Sequence, residues 1–489
     1  MKTTSLLLAI ILICISDLLS QVPIFDLSKY ARPTLNRKSL DLNFHLGGNQ
    51  SNNFGNSITS SSIRGDFNLA YQSFHNSPAA QKNHSIYMGL MPFRSQASSA
   101  TGESKQNEFI GNLIVNSEHL KYSTNNTFIA YRLNLQYRNN SRGEYSQDLR
   151  PSVLRSSDFN RADHQMTLDM PLTVGIGRLE WVDDARHGLF ILQALERDNY
   201  LAREISEDDI LAFAARISEL KNRRYFDFRL QKIWELEQIH AFLSERGIIE
   251  EESIGYFAIV QDIWNFGNQP IRRAGSRLRV GVNPHMRYNL NKNERMNFSL
   301  DQPSDTSMVE EQRESYSFQP AFYLDFFHEK PISESWQEVF QVKAELGIGR
   351  RNFSDRQLQN GVVNTASFQA WDNTPIFKAS AYYDLRFYPN TRTYFEGSFG
   401  MSFYQSKFLR SFNTQPNPVE DFSSLQTNLR LNAYYYISPQ TRLRISYQSQ
   451  LLSFAGRSPF DGNPAFLEAL FTGSSLGHQV YITLSHAWF

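Results

Sequence analysis

The chain has 489 residues, with 49 Lys and Arg balanced by 49 Asp and Glu, so no global field marks it as a nucleic-acid binder. After residue 20 there is no run of about 18 apolar residues, which excludes helical membrane spans. A mean hydropathy of −0.45 does not exclude a transmembrane barrel, whose strands turn every second side chain to water, so periodicity has to decide the class.

The chain opens with Met1-Lys2, an apolar run from Leu6 to Ile15, and Leu18-Leu19-Ser20 ahead of Gln21, the pattern of a secretory signal cleaved near Ser20. The single cysteine, Cys14, lies inside that run and follows Ile13, where a lipoprotein signal needs a small residue. Its removal leaves no disulfide and no thiol nucleophile in the mature chain.

Beyond the signal the period is two. The first strand is predicted over 38–46, with Leu40, Leu42, Phe44 and Leu46 opposing Asp41, Asn43 and His45. Further strands follow to residue 182, the cleanest over 127–138, where Ile129, Tyr131, Leu133, Leu135 and Tyr137 oppose Ala130, Arg132, Asn134 and Gln136. The polar stretches 47–62, 92–106 and 139–161 read as loops.

At Trp181 the period changes to a helical one. Asp183 and Asp184 suggest an N-cap, Ser206 with Asp209 a capping box, and Gly247 a helix stop. Four helices are predicted between 183 and 268, with Phe226, Leu230, Ile233, Ile239 and Leu243 facing inward on the third and Phe257, Val260 and Ile263 on the fourth.

After this insert the hairpins return. The regular unit is 424–452, where Leu429, Leu431, Ala433, Tyr435 and Ile437, then Leu443, Ile445, Tyr447 and Leu451, share one face, while Asn428, Arg430, Asn432, Arg442, Arg444 and Gln448 share the other. Turns are predicted at 291–293, 329–332, 389–390 and 438–440, and long polar loops at 301–315, 350–375, 406–423 and 453–476. Short turns alternating with long loops, and strands of ten or so residues with aromatic ends, describe a transmembrane barrel of about 14 strands. Soluble sandwiches also alternate, but their strands average nearer six residues. Unpaired edges are not tolerated in hydrocarbon, so the strand near Leu40 is expected to pair with the last one, near Ile482.

The signal, the hairpins and the final run from His478 to Phe489, HQVYITLSHAWF, resemble bacterial outer-membrane β-barrel proteins, with a composition similar to those of the Bacteroidota. In that class the last strand commonly ends in phenylalanine and is read by the barrel-assembly machinery. The resemblance therefore implies that machinery as a partner, outer-membrane lipid as surroundings, and the bacterial outer membrane as location. Here Val480, Ile482, Leu484 and Trp488 share a face that Phe489 does not.

The predicted organisation is thus an all-β transmembrane antiparallel barrel with an inserted small α-helical domain: signal peptide 1–20, barrel strands 21–182, helical insert 183–268, barrel strands 269–489. If the turn near Lys292 lies on the side of the C-terminus, the insert lies on the other side or in the lumen. The lumen-facing candidates are Arg277, Arg279, Arg287, Lys343, Glu345, Lys378, Asp384, Arg386, Arg392, Glu396, Arg430, Arg442 and Arg444, beside Asp325. They read either as a selective wall or as charges paired across strands, and the presence of both signs favours pairing.

Glu237 and His240 form half of a di-iron motif, but no second half follows, so neither metal nor cofactor is called for. Gly175-Ile176-Gly177-Arg178 lacks the Lys-Ser/Thr of a phosphate loop and reads as a strand end. His84, His285, His328, His478 and His486 raise a membrane hydrolase, yet no nucleophile, base and orienting group assemble from the sequence. The favoured reading is a non-enzymatic channel, transporter or part of a surface export system for an unknown solute. The other is a non-conducting surface or assembly protein that binds a protein partner through the insert and loops.

Overall fold

The computed structural model describes residues 25–53, 58–123, 126–150, 153–223, 228–249, 253–266, 272–299, 306–360, 362–368, 374–409, 419–438, 441–458 and 469–486. The expected signal, Cys14, Phe226, Pro439, Trp488 and Phe489 lie outside these. Among the described residues sixteen antiparallel strands form one sheet. The first half holds β1 (Leu35–Asn53), β2 (Ile58–Ser77), β3 (Ala80–Ser99), β4 (Gly102–Tyr122), β5 (Thr127–Arg150), β6 (Val153–Asp169) and β7 (Leu172–Trp181). Helices α1 (Asp183–Arg197), α2 (Glu207–Asn222), α3 (Phe228–Glu245) and α4 (Ile254–Phe266) interrupt it. The second half holds β8 (Arg273–Ser299), β9 (Ser307–Pro331), β10 (Trp336–Gln359), β11 (Val362–Phe368), β12 (Thr374–Phe387), β13 (Thr393–Leu409), β14 (Val419–Tyr436), β15 (Thr441–Ser458) and β16 (Ala469–His486).

Two pairs of these strands are broken halves of one stave. β7 and β6 bond in succession to the same neighbours, β5 and β8, on either side of a break at Met170-Pro171, where proline has no N–H to give the ladder. β11 and β12 likewise divide β10 between them. The wall therefore has the expected fourteen staves. Near the start of β8 and the end of β7, Gly275 and Gly177 adopt φ of +125° and +94°, and a Cβ at either would lie 2.1 Å from a carbonyl of the facing strand. Only glycine fits these positions.

Alternation sets the two faces. On β8, Leu278, Val280 and Val282 are exposed on the outer face, while Arg277 and Arg279 between them are 9 % and 4 % exposed on the inner one. The wall curls enough for Arg279 to reach Glu118 of β4, three staves away.

The predicted loops are largely strand. Ser104 pairs with Ser146 and Ser146 with Ser157, all within stretches read from the sequence as irregular. Strands reach 27 residues on β8, far beyond the 9–11 or so that cross a bilayer. Beyond the apolar belt both faces meet water, so the alternation fades while backbone pairing continues.

The turn expected at 291–293 is also strand: Asn291 and Asn293 pair with Asp163 and Arg161 on one side and Arg313 and Glu311 on the other. That moves the insert. It follows β7 and precedes β8 at the same rim as the short connections 78–79, 123–126, 332–335, 388–392 and 437–440, opposite to the placement expected from a turn at Lys292. No register joins β1 to β16 among the described residues, so the pairing expected near Leu40 and Ile482 is not observed.

Among the described residues the larger buried hydrophobic cluster lies in the insert, where Val182, Leu192, Phe213, Ile217, Ile239, Leu243 and Val260 pack with Phe25, Leu27 and Tyr30 of the N-terminal segment. The Ser206–Asp209 capping box is present, and Gly247 follows α3 with φ +62°. Asp183 and Asp184 are not the cap: they lie inside the first turn of α1, after Val182, and are buried. Leu230 and Ile233 face outward, each 51 % exposed, rather than into the core, and Phe257 too is at the surface.

Candidate functional site

The candidate site is the inner wall where β4, β5, β7, β8, β9 and β10 run side by side. Arg279, Asp325 and Lys343 occupy one rung of β8, β9 and β10, and Glu118 faces Arg132 across β4 and β5. Arg279 donates to Asp325 through Nε at 3.0 Å and to Glu118 Oε1 through Nη1 at 2.6 Å. Arg132 donates to the same Glu118 oxygen at 2.7 Å, and Arg277 Nη2 stands 3.9 Å from it. Gln341 donates to the other oxygen of Asp325 at 2.9 Å. Arg132 and Arg279 thus find carboxylates on facing strands, which is what burial of charge requires.

A second group lies nearer the short-turn rim. Glu329 accepts from Arg273 at 2.7 Å and from Gln337 at 3.1 Å, with Arg386 at 3.9 Å. Arg386 bonds Asp384 at 2.6 Å, and Ser398 links Asp384 to Glu396 at 3.1 and 3.2 Å. Lys378 and Glu345 pair at 3.6 Å. Farther round, Tyr394 and Tyr434 stack at 4.1 Å, with Arg444 and Arg442 over the Tyr434 ring at 5.2 and 5.9 Å.

Of the residues expected in the lumen, Arg277, Arg279, Lys343, Asp384, Arg386 and Glu396 are brought together in these two groups, and Lys378 with Glu345 lies alongside. Arg442 and Arg444 form the aromatic group. Arg287 and Arg430 have lumen parity but are exposed and join neither. Arg392 is not a wall residue: it sits in the β12–β13 connection, where Asn390 Oδ1 accepts from its backbone N at 2.9 Å, and its guanidinium pairs with Asp262 of α4 and lies 4.2 Å from the Phe266 ring centre.

Arg392 thus belongs to the seat of the insert. Gln193 of α1 donates to Glu334 of the β9–β10 connection at 2.6 Å. Tyr388, buried, has Arg186 of α1 and Arg272 each 5.2 Å from its ring centre. Phe266 meets Tyr436 edge-on at 6.5 Å. The helices accordingly lie across the short-turn mouth from β8 to β14.

No known protein-family profile and no curated protein matches the chain. Among solved structures it is similar to TodX, a monoaromatic hydrocarbon channel of P. putida (8 % identity, TM-score 0.31, covering 95 % of this chain and 92 % of that one). It is also similar to the translocator domain of the autotransporter NalP from Neisseria meningitidis (9 %, 0.20, 82 % and 90 %) and to the outer membrane protein OpdK from Pseudomonas aeruginosa (7 %, 0.19, 92 % and 99 %). Resemblance of this degree assigns the chain no activity.

Sequence reasoning passed over Glu118, Arg273, Glu329 and Gln337. Glu118 had a usable signal, since it shares parity with Leu120 and Tyr122, which are buried in the lumen with Phe128 and Ala130. Gly175 of the glycine pair lies in β7 under the Phe128 ring, a strand position rather than a phosphate loop. Glu237 is exposed and His240 packs beside the rings of Tyr256 and Phe257. Of the histidines, His84 meets Ser117 at 2.7 Å, His478 meets Tyr447 at 2.9 Å and His285 meets Asp169 at 2.6 Å. His328 lies 2.7 Å from Ser276 on the outer face, and Glu338 stands 3.8 Å from its other nitrogen, beyond hydrogen-bond reach.

Proposed function

We propose that the chain is an integral outer-membrane barrel of the bacterial envelope that acts as a channel or transporter for small polar solutes, with the helical insert as a stopper on its periplasmic mouth. The observation that carries this reading is the opposition of faces along single strands, as on β8, where a lipid-compatible face backs directly onto buried Arg277 and Arg279. Connections are short on both rims, as at 78–79 and at 100–101 and 151–152, so the side is assigned from strand length. The strands run farthest beyond the apolar belt toward the rim opposite the insert, as extracellular extensions do in barrels of this kind, which assigns the insert to the periplasm, where export with cleavage near Ser20 delivers the chain. Purified protein in planar bilayers should show discrete conductance steps; silence at all voltages would reject the channel.

A second reading, a non-conducting barrel that binds a protein partner through the insert, is favoured by Leu230, Ile233 and Ile254, which are 51 %, 51 % and 90 % exposed on α3 and α4. A silent barrel that crosslinks through Ile254 to one fixed envelope protein would establish it instead.

A further inference from the structure

The charges at the middle of the lumen do not balance, and the imbalance is local. Arg132, Arg277, Arg279 and Lys343 line this part of the wall, against Glu118 and Asp325. A single oxygen, Glu118 Oε1, serves three guanidinium groups, at 2.7, 3.9 and 2.6 Å for Arg132, Arg277 and Arg279. Asp325 is committed to Arg279 on one oxygen and to Gln341 on the other. Arg277 is 9 % exposed and its Nε is buried with no hydrogen-bond partner. Lys343, on the same rung as Asp325, makes no hydrogen bond or ion pair among the described residues. The next carboxylate along β10, Glu345, is taken by Lys378 and Asn283.

Burying charge without a counter-charge is unfavourable, and two cations here exceed what the carboxylates neutralise. Guanidinium forks and an ammonium converging on one space match the several acceptor oxygens of an oxyanion. We infer that Arg277 and Lys343 form an anion-binding subsite in the lumen, and that the solute carries a carboxylate, phosphate or sulfate group. This deepens the channel reading and rests on it for its transport meaning, though not for binding itself. The paired carboxylates set the affinity low enough for release: they hold Arg279 and Arg132, and leave Arg277 with one partner at 3.9 Å and an unpartnered Nε beside Lys343, as conduction needs.

Two measurements test it. In bilayers under a KCl gradient, the wild-type reversal potential should report anion preference; Lys343→Gln should abolish it, Lys343→Arg should keep it, and Arg287→Gln, in the exposed upper lumen, should not matter. In detergent, titration with sodium sulfate followed by calorimetry should show binding that Lys343→Gln weakens tenfold or more and Lys343→Arg restores. Arg277→Gln should act in the same direction, and should it fail to fold, the half-buried Lys343 still carries the test. A conducting barrel with no anion preference and no sulfate binding overturns the subsite and leaves the channel standing. A silent barrel that binds sulfate through Lys343 overturns the channel and supports the subsite.

Discussion

Asp184 and Lys221 form a buried ion pair at 3.0 Å, and Asp184 also accepts from Arg32 at 2.8 Å. One carboxylate therefore ties α1, α2 and the N-terminal segment together beneath the barrel mouth. Burial works to raise its proton affinity, but the cations of Lys221 and Arg32 outweigh burial and hold the carboxyl below its ordinary value of 3.8. Lys221 is itself lowered by burial, while Arg32 is raised and stays charged, so acid titration of the clasp is set by Asp184.

Asp184→Asn should cost the insert about 3–5 kcal/mol, the usual result of removing one member of a buried pair. Because the folded value lies below the unfolded one, the clasp is fully present above about pH 4 and is lost as pH falls through the folded value. Limited proteolysis across α1–α4 between pH 3 and pH 7 checks both: wild type should open only in acid, and the variant at neutral pH.

The seat of the insert offers a separate handle. Arg392 pairs with Asp262 and lies over Phe266, and since both charged side chains are more than a third exposed, the ion pair itself contributes less than about 1 kcal/mol. With the cation–π contact the total is about 1 kcal/mol, worth roughly a fivefold change in the population of the undocked state. Arg392→Ala should therefore raise the frequency of open events in bilayers about fivefold without altering the size of the step. A changed step size would mean that Arg392 lines the pore.

The two faces of the wall predict opposite responses from adjacent residues. Leu431 lies on the outer face opposite Tyr447, and Arg430 beside it faces in. Leu431→Arg should weaken insertion by about 2–4 kcal/mol, while Arg430→Leu should be tolerated. Folding yield into lipid vesicles, read by heat-dependent migration on gels, separates them; equal losses would contradict the parity.

The period-two pattern made the staves legible wherever one face meets lipid, as at 127–138 and 424–452. It could not show strand beyond the belt, because Ser104, Ser146 and Ser157 pair their backbones with polar side chains on both faces. The same cause hid the side of the insert: Asn291-Lys292-Asn293 has the composition of a turn but continues β8. Parity groups Arg277, Arg279, Lys343 and Asp384 on one face of the wall, and the registers of β8, β9, β10 and β12 agree with that grouping. Arg392 was misplaced because its partner, Asp262, lies 130 positions away on a helix that the strand pattern does not describe. Which carboxylate serves which arginine depends on how the wall curls, since Arg279 and Glu118 are 161 positions apart and on non-adjacent staves.

The seam between β1 and β16 yields the last prediction. β1 leaves the short-turn rim and β16 returns to it, so the two run antiparallel, and each presents an apolar outer face: Leu40, Leu42 and Phe44 on one, Val480, Ile482 and Leu484 on the other. Unsatisfied N–H and C=O groups cost several kcal/mol each in hydrocarbon, so in a bilayer these edges should pair. The mature chain is expected to contain no cysteine, which makes the test clean. Cysteine pairs that combine Leu40, Leu42 or Phe44 with Val480, Ile482 or Leu484 should give at least one disulfide on mild oxidation in vesicles, as a bond forms only when Cβ atoms come within about 4.5 Å. Leu443→Cys with Leu484→Cys, partners in the β15–β16 register, is the positive control. If the control crosslinks and none of the seam pairs does, the wall is open to lipid between its first and last strands.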